Sequence, residues 1–318
     1  MFANQKLKAQ KYRDTLAAID LGSNAVRFFV ATLHKDELHI RKNSRYPIRL
    51  GEDVFSSGEV SEQKILELEE AFIRFKKRIE KYGIKKVRAC GTSALRNATN
   101  GDQVIERVQK ASGIQIERIT GEQEADLIRS AVCREFELSN CNILLIDIGG
   151  GSTELTLVTN EEIVASRSFP VGSVRLLPYE NLLEIDVKLQ PHLEAMKEFI
   201  QEVNGKHVID FAVGTGGNLR RIGKLRQSIL GKKNTEEASF KDICKIFETL
   251  KETTYQQRVE EFGMRKDRAD VIMPAIALIF NLMSDHEITE LIMPKVGLKD
   301  GILFSMLDEM PNEVILWD

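Results

Sequence analysis

The sequence predicts an α/β protein of two related domains, each a mixed β-sheet flanked by helices. Three observations carry this. An apolar strand ending in Asp, a Gly-rich turn with a hydroxyl, and a second strand occur twice. The copies are Asp20-Leu21-Gly22-Ser23-Asn24, leading into AVRFFVATL, and Asp147-Ile148-Gly149-Gly150-Gly151-Ser152-Thr153, leading into ELTLV. Two copies this far apart point to related domains, not to a solenoid. Each copy opens on hairpin-like strands and passes into alternating strands and helices. The 318 residues, 42% apolar and free of low-complexity tracts, are enough to fill two cores.

The elements follow in order. TLAAID is an apolar strand ending at Asp20; AVRFFVATL and ELHIRKN, separated by the HKDE turn, complete an antiparallel meander. A helix follows, with Ser61 as N-cap, Val60 and Ile65 as a staple, and Gly83 closing it. Its apolar face is Ile65, Leu68, Phe72, Phe75, Ile79 and Tyr82. The strand KKVRACG runs into a polar loop, Thr92 to Asn97, then a helix from Asp102 to Ser112 and the strand IQIERI. Thr120, with Gln123 three residues on, starts the next helix. NILLIDIGG is nearly all apolar, as a buried central strand is. ELTLVT and EEIVASRSFP form a second hairpin, and a helical region runs to about Val203. HVIDFAVG ends in Gly214-Thr215-Gly216-Gly217 and opens a helix at Asn218. A helix from about Ser239, a buried apolar helix over RADVIMPAIALIFNLM, a last strand and a closing helix complete the chain.

Composition excludes several functions. Lys and Arg total 45 against 48 Asp and Glu, a net charge of −3, so a polyanion must be met by a local site and not by a global field. A duplex nucleic acid is therefore not an expected partner. No stretch approaches the ~20 apolar residues of a membrane span. The polar N-terminus lacks an apolar signal core and reads as a frayed tail. Cys90, Cys133, Cys141 and Cys244 form no CxxC pair and read as reduced thiols of a cytoplasmic protein.

The repeated turns carry the chemistry. Glycine lets the backbone approach a ligand closely, and successive N–H groups in such a turn make an anion-binding nest. The hydroxyls add donors, and an Asp at the strand end can face a hydrated Mg²⁺ that neutralises phosphates. Two such hairpins facing each other would clamp a phosphate chain. The turns lead into strands and lack a P-loop Lys, so they are neither Walker A nor dinucleotide loops.

The paired DxGS and DxGGGS hairpins with a VGTGG turn resemble the actin, sugar-kinase and heat-shock ATPase superfamily. Within it, GEQEA together with DIGGGSTE is similar to the exopolyphosphatase and guanosine pentaphosphate phosphatase family, in its short two-domain form. The resemblance extends from about Thr15 to about Asp308 through RLGEDVFSSGEVSE, ACGTSALRNATNG, FPVGSVRL, RADVIMPA and GLKDGIL. It implies two ribonuclease-H-like domains, 1–125 and 126–302, with a closing helix (about 303–318) folding back on the first and the active site in the cleft between them.

The resemblance also implies roles. Glu124 matches the glutamate that orients or deprotonates the attacking water, and Glu154 a second acid holding Mg²⁺ or the water. Asp147 matches the metal-facing Asp, with Asp20 its counterpart in the first copy. Gly22, Ser23, Asn24, Gly149, Gly150, Gly151, Ser152 and Thr153 match the phosphate-binding turns. Arg96 and Arg27 match charge clamps on phosphate, and Gly214 to Gly217 match a nucleoside-side loop. An acid near a helix start would be held anionic by the dipole, so Glu124 is expected to position water more than to act as a strong base.

Mg²⁺ is the implied cofactor, with a monovalent ion such as K⁺ beside it, and a homodimer is compatible. The implied reaction is release of orthophosphate from inorganic polyphosphate, or of the 5′ γ-phosphate from guanosine pentaphosphate (pppGpp). A superfamily kinase would need an acceptor pocket where Glu124 stands, and a non-catalytic polyphosphate or nucleotide sensor would need neither Glu124 nor Glu154. Longer members carry further helical domains that extend the polyanion channel, so less processivity is expected of this chain. Lys299 stands in GLKDG where the family pattern has Arg, keeping the charge but losing the bidentate fork.

Overall fold

The computed structural model describes residues 15–34, 37–179, 182–204 and 208–309; the N-terminal tail, the centre of the HKDE turn and residues 310–318 lie outside them. The first sheet has the order β3-β2-β1-β4-β5, from β1 (Thr15–Leu21), β2 (Val26–His34), β3 (Glu37–Tyr46), β4 (Lys86–Gly91) and β5 (Ile116–Arg118). β1, β2 and β3 pair antiparallel, while β4 and β5 add in parallel beyond β1. The second sheet uses β6 (Asn142–Ile148), β7 (Thr153–Thr159), β8 (Glu162–Phe169), β9 (Phe211–Thr215), β10 (Glu237–Ser239) and β11 (Glu290–Ile292). Its order, β10-β11-β9-β6-β7-β8, repeats the first with β10 added at the edge. The duplication in the sequence is thus a duplication of topology.

The meander turns close alike. Gly22 N–H donates to Ala25 O at 3.2 Å, and Gly149 N–H to Ser152 O at 3.0 Å. In both sheets the strand carrying the Asp is flanked on both edges, so its residues are buried almost throughout. β1 alternates as such a strand must: Ala17, Ile19 and Leu21 enter one core, Leu16 and Ala18 another.

Around the first sheet lie α1 (Leu50–Ser57), α2 (Glu62–Tyr82), α3 (Ser93–Asn97) and α4 (Gly101–Ser112). Ser61 caps α2 by accepting from Lys64 N–H, and Gly83 ends it at φ 62°. Two segments add helix that the sequence reading did not assign. Leu50–Ser57 is helical, because Leu50 and Val54 bury one face while its charges lie outside. Ser93–Asn97 is a helical turn where a loop was expected, because Ala94 and Leu95 reach the core.

α5 (Gly121–Glu135) starts at a complete capping box between Thr120 and Gln123. It lies between the sheets: Leu127 packs in the core with β1, and Ile128 and Val132 pack in the core with β6. α6 (Leu182–Asn204), α7 (Gly216–Leu230), α8 (Phe240–Lys251), α9 (Tyr255–Glu260), α10 (Lys266–Ala269) and α11 (Ile272–Asp285) surround the second sheet. Pro274 sits in the first turn of α11, where its missing N–H breaks no helix bond. No helix among the described residues is long and apolar enough to cross a membrane.

The closing helix, α12 (Leu298–Asp308), packs on α5 and β1. Arg88 of β4 donates to Ser305 Oγ at 2.6 Å, and Arg134 pairs with Asp308 at 2.7 Å. At the crossing, Gly301 touches the α5 backbone: a Cβ there would stand 2.0 Å from Leu127 O. Gly301→Ala is therefore expected to lose about 3 kcal/mol of stability in denaturant unfolding, since a helix backbone yields less than a side chain. A change below about 0.5 kcal/mol would mean that the two helices part easily.

Candidate active site

The two Gly-rich turns meet face to face where the sheets approach each other. With the start of α7 they enclose a cavity of about 100 Å³. It is lined by Asp20, Gly22, Ser23, Asn24 and Arg27 from the first copy, and by Asp147, Gly149, Gly150 and Ser152 from the second. Glu124, Gly216 and Gly217 complete the expected lining residues. Gly216 adopts φ 88°, and a Cβ there would stand 2.9 Å from Asp147 Oδ1, so the turn requires glycine.

The remaining expected residues stand behind this wall. Thr153 is buried and donates to Val171 O at 2.7 Å. A Cβ on Gly151 would meet the Phe55 ring of α1 at 2.0 Å, and one on Gly214 would meet Leu219 at 2.4 Å. Thr215, opposite Asp147 in the β6–β9 register, donates to Asp147 Oδ1 at 2.5 Å.

Register explains the acidic centre. On the first hairpin Asp20 stands opposite Arg27; on the second, Asp147 stands opposite Glu154. The same cross-strand position thus makes an ion pair in one copy, Asp20 to Arg27 at 3.9 Å, and a pair of acids in the other. Glu124 joins the acids from the first turn of α5. Glu124, Asp147 and Glu154 each offer one carboxylate oxygen within 4.8 Å of the others, a group that could hold a metal ion. Asp20, expected among the metal ligands, lies outside this group, and Glu124 lies within it. Asp20 answers Arg27 instead.

Arg96 also differs from expectation. Its guanidinium serves the protein's own carboxylates. Nη1 donates to Glu124 Oε2 at 2.8 Å and to Ile119 O at 3.0 Å; Nη2 reaches Glu154 Oε1 at 3.3 Å and Ser152 Oγ at 3.4 Å. One cation thus bridges two buried carboxylates. Burial, joined by the neighbouring Glu154 charge, raises Glu124 well above the ordinary range, against the pull of Arg96. Burial and Asp147 push Glu154 up to about 7. Asp147 and Asp20 also rise, chiefly from burial. Desolvation of the Glu124 side chain, only 6% exposed, works against the helix N-terminus that was expected to keep it weakly basic.

Three carboxylates close together and drawn upward are chemically suited to a hard cation with oxygen ligands. Glu154 supports the fit further: its Oε2 is buried and accepts no hydrogen bond. Ser23 Oγ, Asn24 Oδ1 and Ser93 Oγ are likewise buried without a partner at the same site. Buried polar atoms ordinarily find partners, so four such atoms in one place mark a site built for a polar ligand.

Sequence reasoning named Arg27 and Lys299 but passed over two further cations of the site. Arg220 and Arg268 line the cavity with Arg27 and Lys299. Arg268 is 9% exposed and donates to Asn218 Oδ1 at 2.6 Å. Burial, with Arg27 and Arg45 nearby, lowers its pKa to about 9. RADVIMPA contains Arg268, but an Arg ahead of an apolar helix has no local signature of a site. The same cations continue into an adjoining cavity of about 730 Å³. Its walls hold Arg27, Arg45, Arg220, Arg221, Lys224, Arg265, Arg268 and Lys299. Cys90 offers no competing thiol chemistry: burial pushes it up to about 12.

Comparison with known proteins agrees with this architecture. Residues 29–310 match the Ppx/GppA phosphatase family. The chain is 26% identical over 305 residues to Exopolyphosphatase 1 of Mycobacterium bovis, covering 92% of this chain and 88% of that one. It is 25% identical to the guanosine-5′-triphosphate,3′-diphosphate pyrophosphatase of Vibrio campbellii, over 92% of this chain and 59% of that longer one. The crystal structure of an exopolyphosphatase from Cytophaga hutchinsonii superposes with a TM-score of 0.84 at 24% identity, covering 93% of this chain and 98% of that one. With two mixed sheets of matching order and a family match across most of its length, the chain belongs to the Ppx/GppA phosphatase family.

Proposed function

We propose that this protein hydrolyses the terminal phosphoanhydride bond of inorganic polyphosphate, releasing orthophosphate. The observation that carries it is the meeting of a buried three-carboxylate group with unpartnered polar atoms between two Gly-rich turns. Relatives named as exopolyphosphatase and as pppGpp pyrophosphatase support the reaction class. The adjoining cavity favours polyphosphate. Eight Lys and Arg side chains line it, and its one aromatic ring, Phe29, already has Lys299 Nζ 5.8 Å above it. A row of cations suits further phosphates better than a base seeking a free stacking face.

Phosphoanhydride hydrolysis needs an in-line water, neutralised phosphate oxygens and a positioned base. Ser23, Asn24 and the backbone of Gly22, Gly149 and Gly150 bind the terminal phosphate. Arg27, Arg220 and Arg268 hold the bridging and distal oxygens. Glu124 orients the water and takes its proton, a task its burial suits by making the carboxylate more basic. Glu124, Asp147 and Glu154 would hold Mg²⁺, which when bound would neutralise phosphate charge. Arg96 keeps the two glutamates in place. The four cysteines are unpaired, as in a reducing cytoplasm.

The test is phosphate release, with Mg²⁺, from long polyphosphate, short polyphosphate, pppGpp and ATP side by side. Polyphosphate is expected to be cleaved most efficiently. Preference for pppGpp would favour the second reading, in which Gly216 and Gly217 face a nucleoside. No release from any of the four would overturn the hydrolase.

Ion binding should also depend on pH. Glu154 rises from 4.5 to about 7 on folding, so the native state binds the extra proton between those values. Stability from this group is present below pH 4.5 and is lost as pH rises through about 7. A bound cation removes that penalty. The rise in melting temperature with Mg²⁺ is therefore expected to be larger at pH 8 than at pH 6; equal rises would argue that the ion binds elsewhere.

A further inference from the structure

The Glu154 carboxylate is served unequally. Oε1 accepts from Ser152 Oγ at 2.7 Å, Ser168 Oγ at 2.8 Å and Arg96 Nη2 at 3.3 Å, while Oε2, though buried, accepts nothing. Ser152 is on the Gly-rich turn and was expected at the site. Ser168 is not on that turn: it lies on β8, directly opposite Glu154 in the β7–β8 register. It also abuts the start of α5, since a Cβ on Gly121 would stand 2.7 Å from Ser168 Cβ and 3.9 Å from Glu154 Oε1. Ser168 therefore stands between the Glu154 carboxylate and the helix that carries Glu124.

We infer that Ser168 is a positioning residue that holds Glu154 by Oε1 and so reserves Oε2 for the cation. The inference rests on the reading that the three carboxylates hold an ion. Its physical basis is the division of labour between two oxygens. A cation ligand must keep its charge and a single orientation. A neutral hydroxyl supplies the orientation without cancelling the charge, which a second arginine would do. Because Ser168 is itself an exposed residue, its hydroxyl fills no gap in the core. Its removal should therefore act on the carboxylate and not on packing.

The experiment is Mn²⁺ binding by electron paramagnetic resonance on the full chain, as wild type, Ser168→Ala and Ser168→Thr, alongside polyphosphate kinetics. Ser168→Ala is expected to weaken Mn²⁺ binding about tenfold, as loss of an outer partner of a metal ligand does. Its melting temperature without metal and its KM for polyphosphate should stay near wild type. Ser168→Thr, which retains the hydroxyl, should recover most of the affinity. Mn²⁺ binding by Ser168→Ala within twofold of wild type would overturn the inference. So would a rise in KM with cation affinity unchanged, which would make Ser168 a phosphate contact. Failure of the wild type to bind Mn²⁺ is a separate result: it would overturn the cation reading and leave Ser168 with no oxygen to reserve.

Discussion

Glu124→Gln is expected to lower phosphate release from polyphosphate by about 10²–10⁴-fold, the range of a positioned general base. Equilibrium binding of polyphosphate should change by less than about threefold, because Gln keeps an oxygen for the cation, Asp147 and Glu154 remain, and no direct phosphate contact is lost. The fold should not suffer. Glu124 is 6% exposed, and its burial beside Glu154 already favours the uncharged form, so a neutral isostere relieves a cost. The Gln carbonyl can still accept from Arg96, whose Nη1 lies 2.8 Å from Oε2 in the native site. The expected result is thus a stable protein, equal or higher in melting temperature, that binds substrate and does not turn it over. Near-wild-type release would sink the assignment of Glu124. A large loss of binding would mean instead that Glu124 reaches the phosphates through its ion.

Arg96→Met should have the largest effect on stability, and that effect should depend on pH. Arg96 is the cation that touches both Glu124 and Glu154. Removing one partner of a buried ionic group costs about 3–5 kcal/mol, because the remaining charge is left uncompensated. Here the remaining groups are acids with raised pKa values, and Glu154 already stands at about 7 with Arg96 in place. Without Arg96 they rise further. At pH 6 Glu154 holds its proton and needs no partner; at pH 8 it is driven towards ionisation inside the protein. Urea unfolding should therefore show a loss of about 3–5 kcal/mol at pH 8 and a clearly smaller one at pH 6, with Mg²⁺ restoring part of the difference. Equal losses at both pH values would assign Arg96 a structural role through its hydrogen bond to Ile119 O. A variant with unchanged stability and a raised KM alone would return Arg96 to the phosphate clamp that the sequence suggests.

The candidate site was legible where chemistry is local and hidden where it depends on pairing. A Gly-rich turn after an apolar strand announces itself, and two copies announce a cleft. Thr120 with Gln123 marks a helix start, which puts Glu124 in its first turn. Nothing in the local sequence distinguishes the two Asp residues, however. Asp20 meets Arg27 and Asp147 meets Glu154 because of what stands across the hairpin, and only the pairing made one an ion pair and the other part of an acidic group. Arg96 reads as a loop cation until α3 carries it against α5 and β7. Ser168 reads as one more polar residue on an alternating strand. Arg220 and Arg268 are 48 residues apart and meet at one cavity only because α7 and α10 converge there.

By itself, the sequence determined the strand–turn–strand units, their duplication, the caps of α2 and α5, and the chemical class of the two turns. These depend on neighbours within a few residues: the period of apolar positions, a hydroxyl beside free N–H groups, a glycine that admits close approach. Tertiary structure alone decided which carboxylates come together, which way Arg96 points, and which way burial shifts the acids. Those properties arise from desolvation and from charges brought together across strands and between sheets. A sequence carries such charges one at a time, and their energies exist only once water has been excluded from around them all.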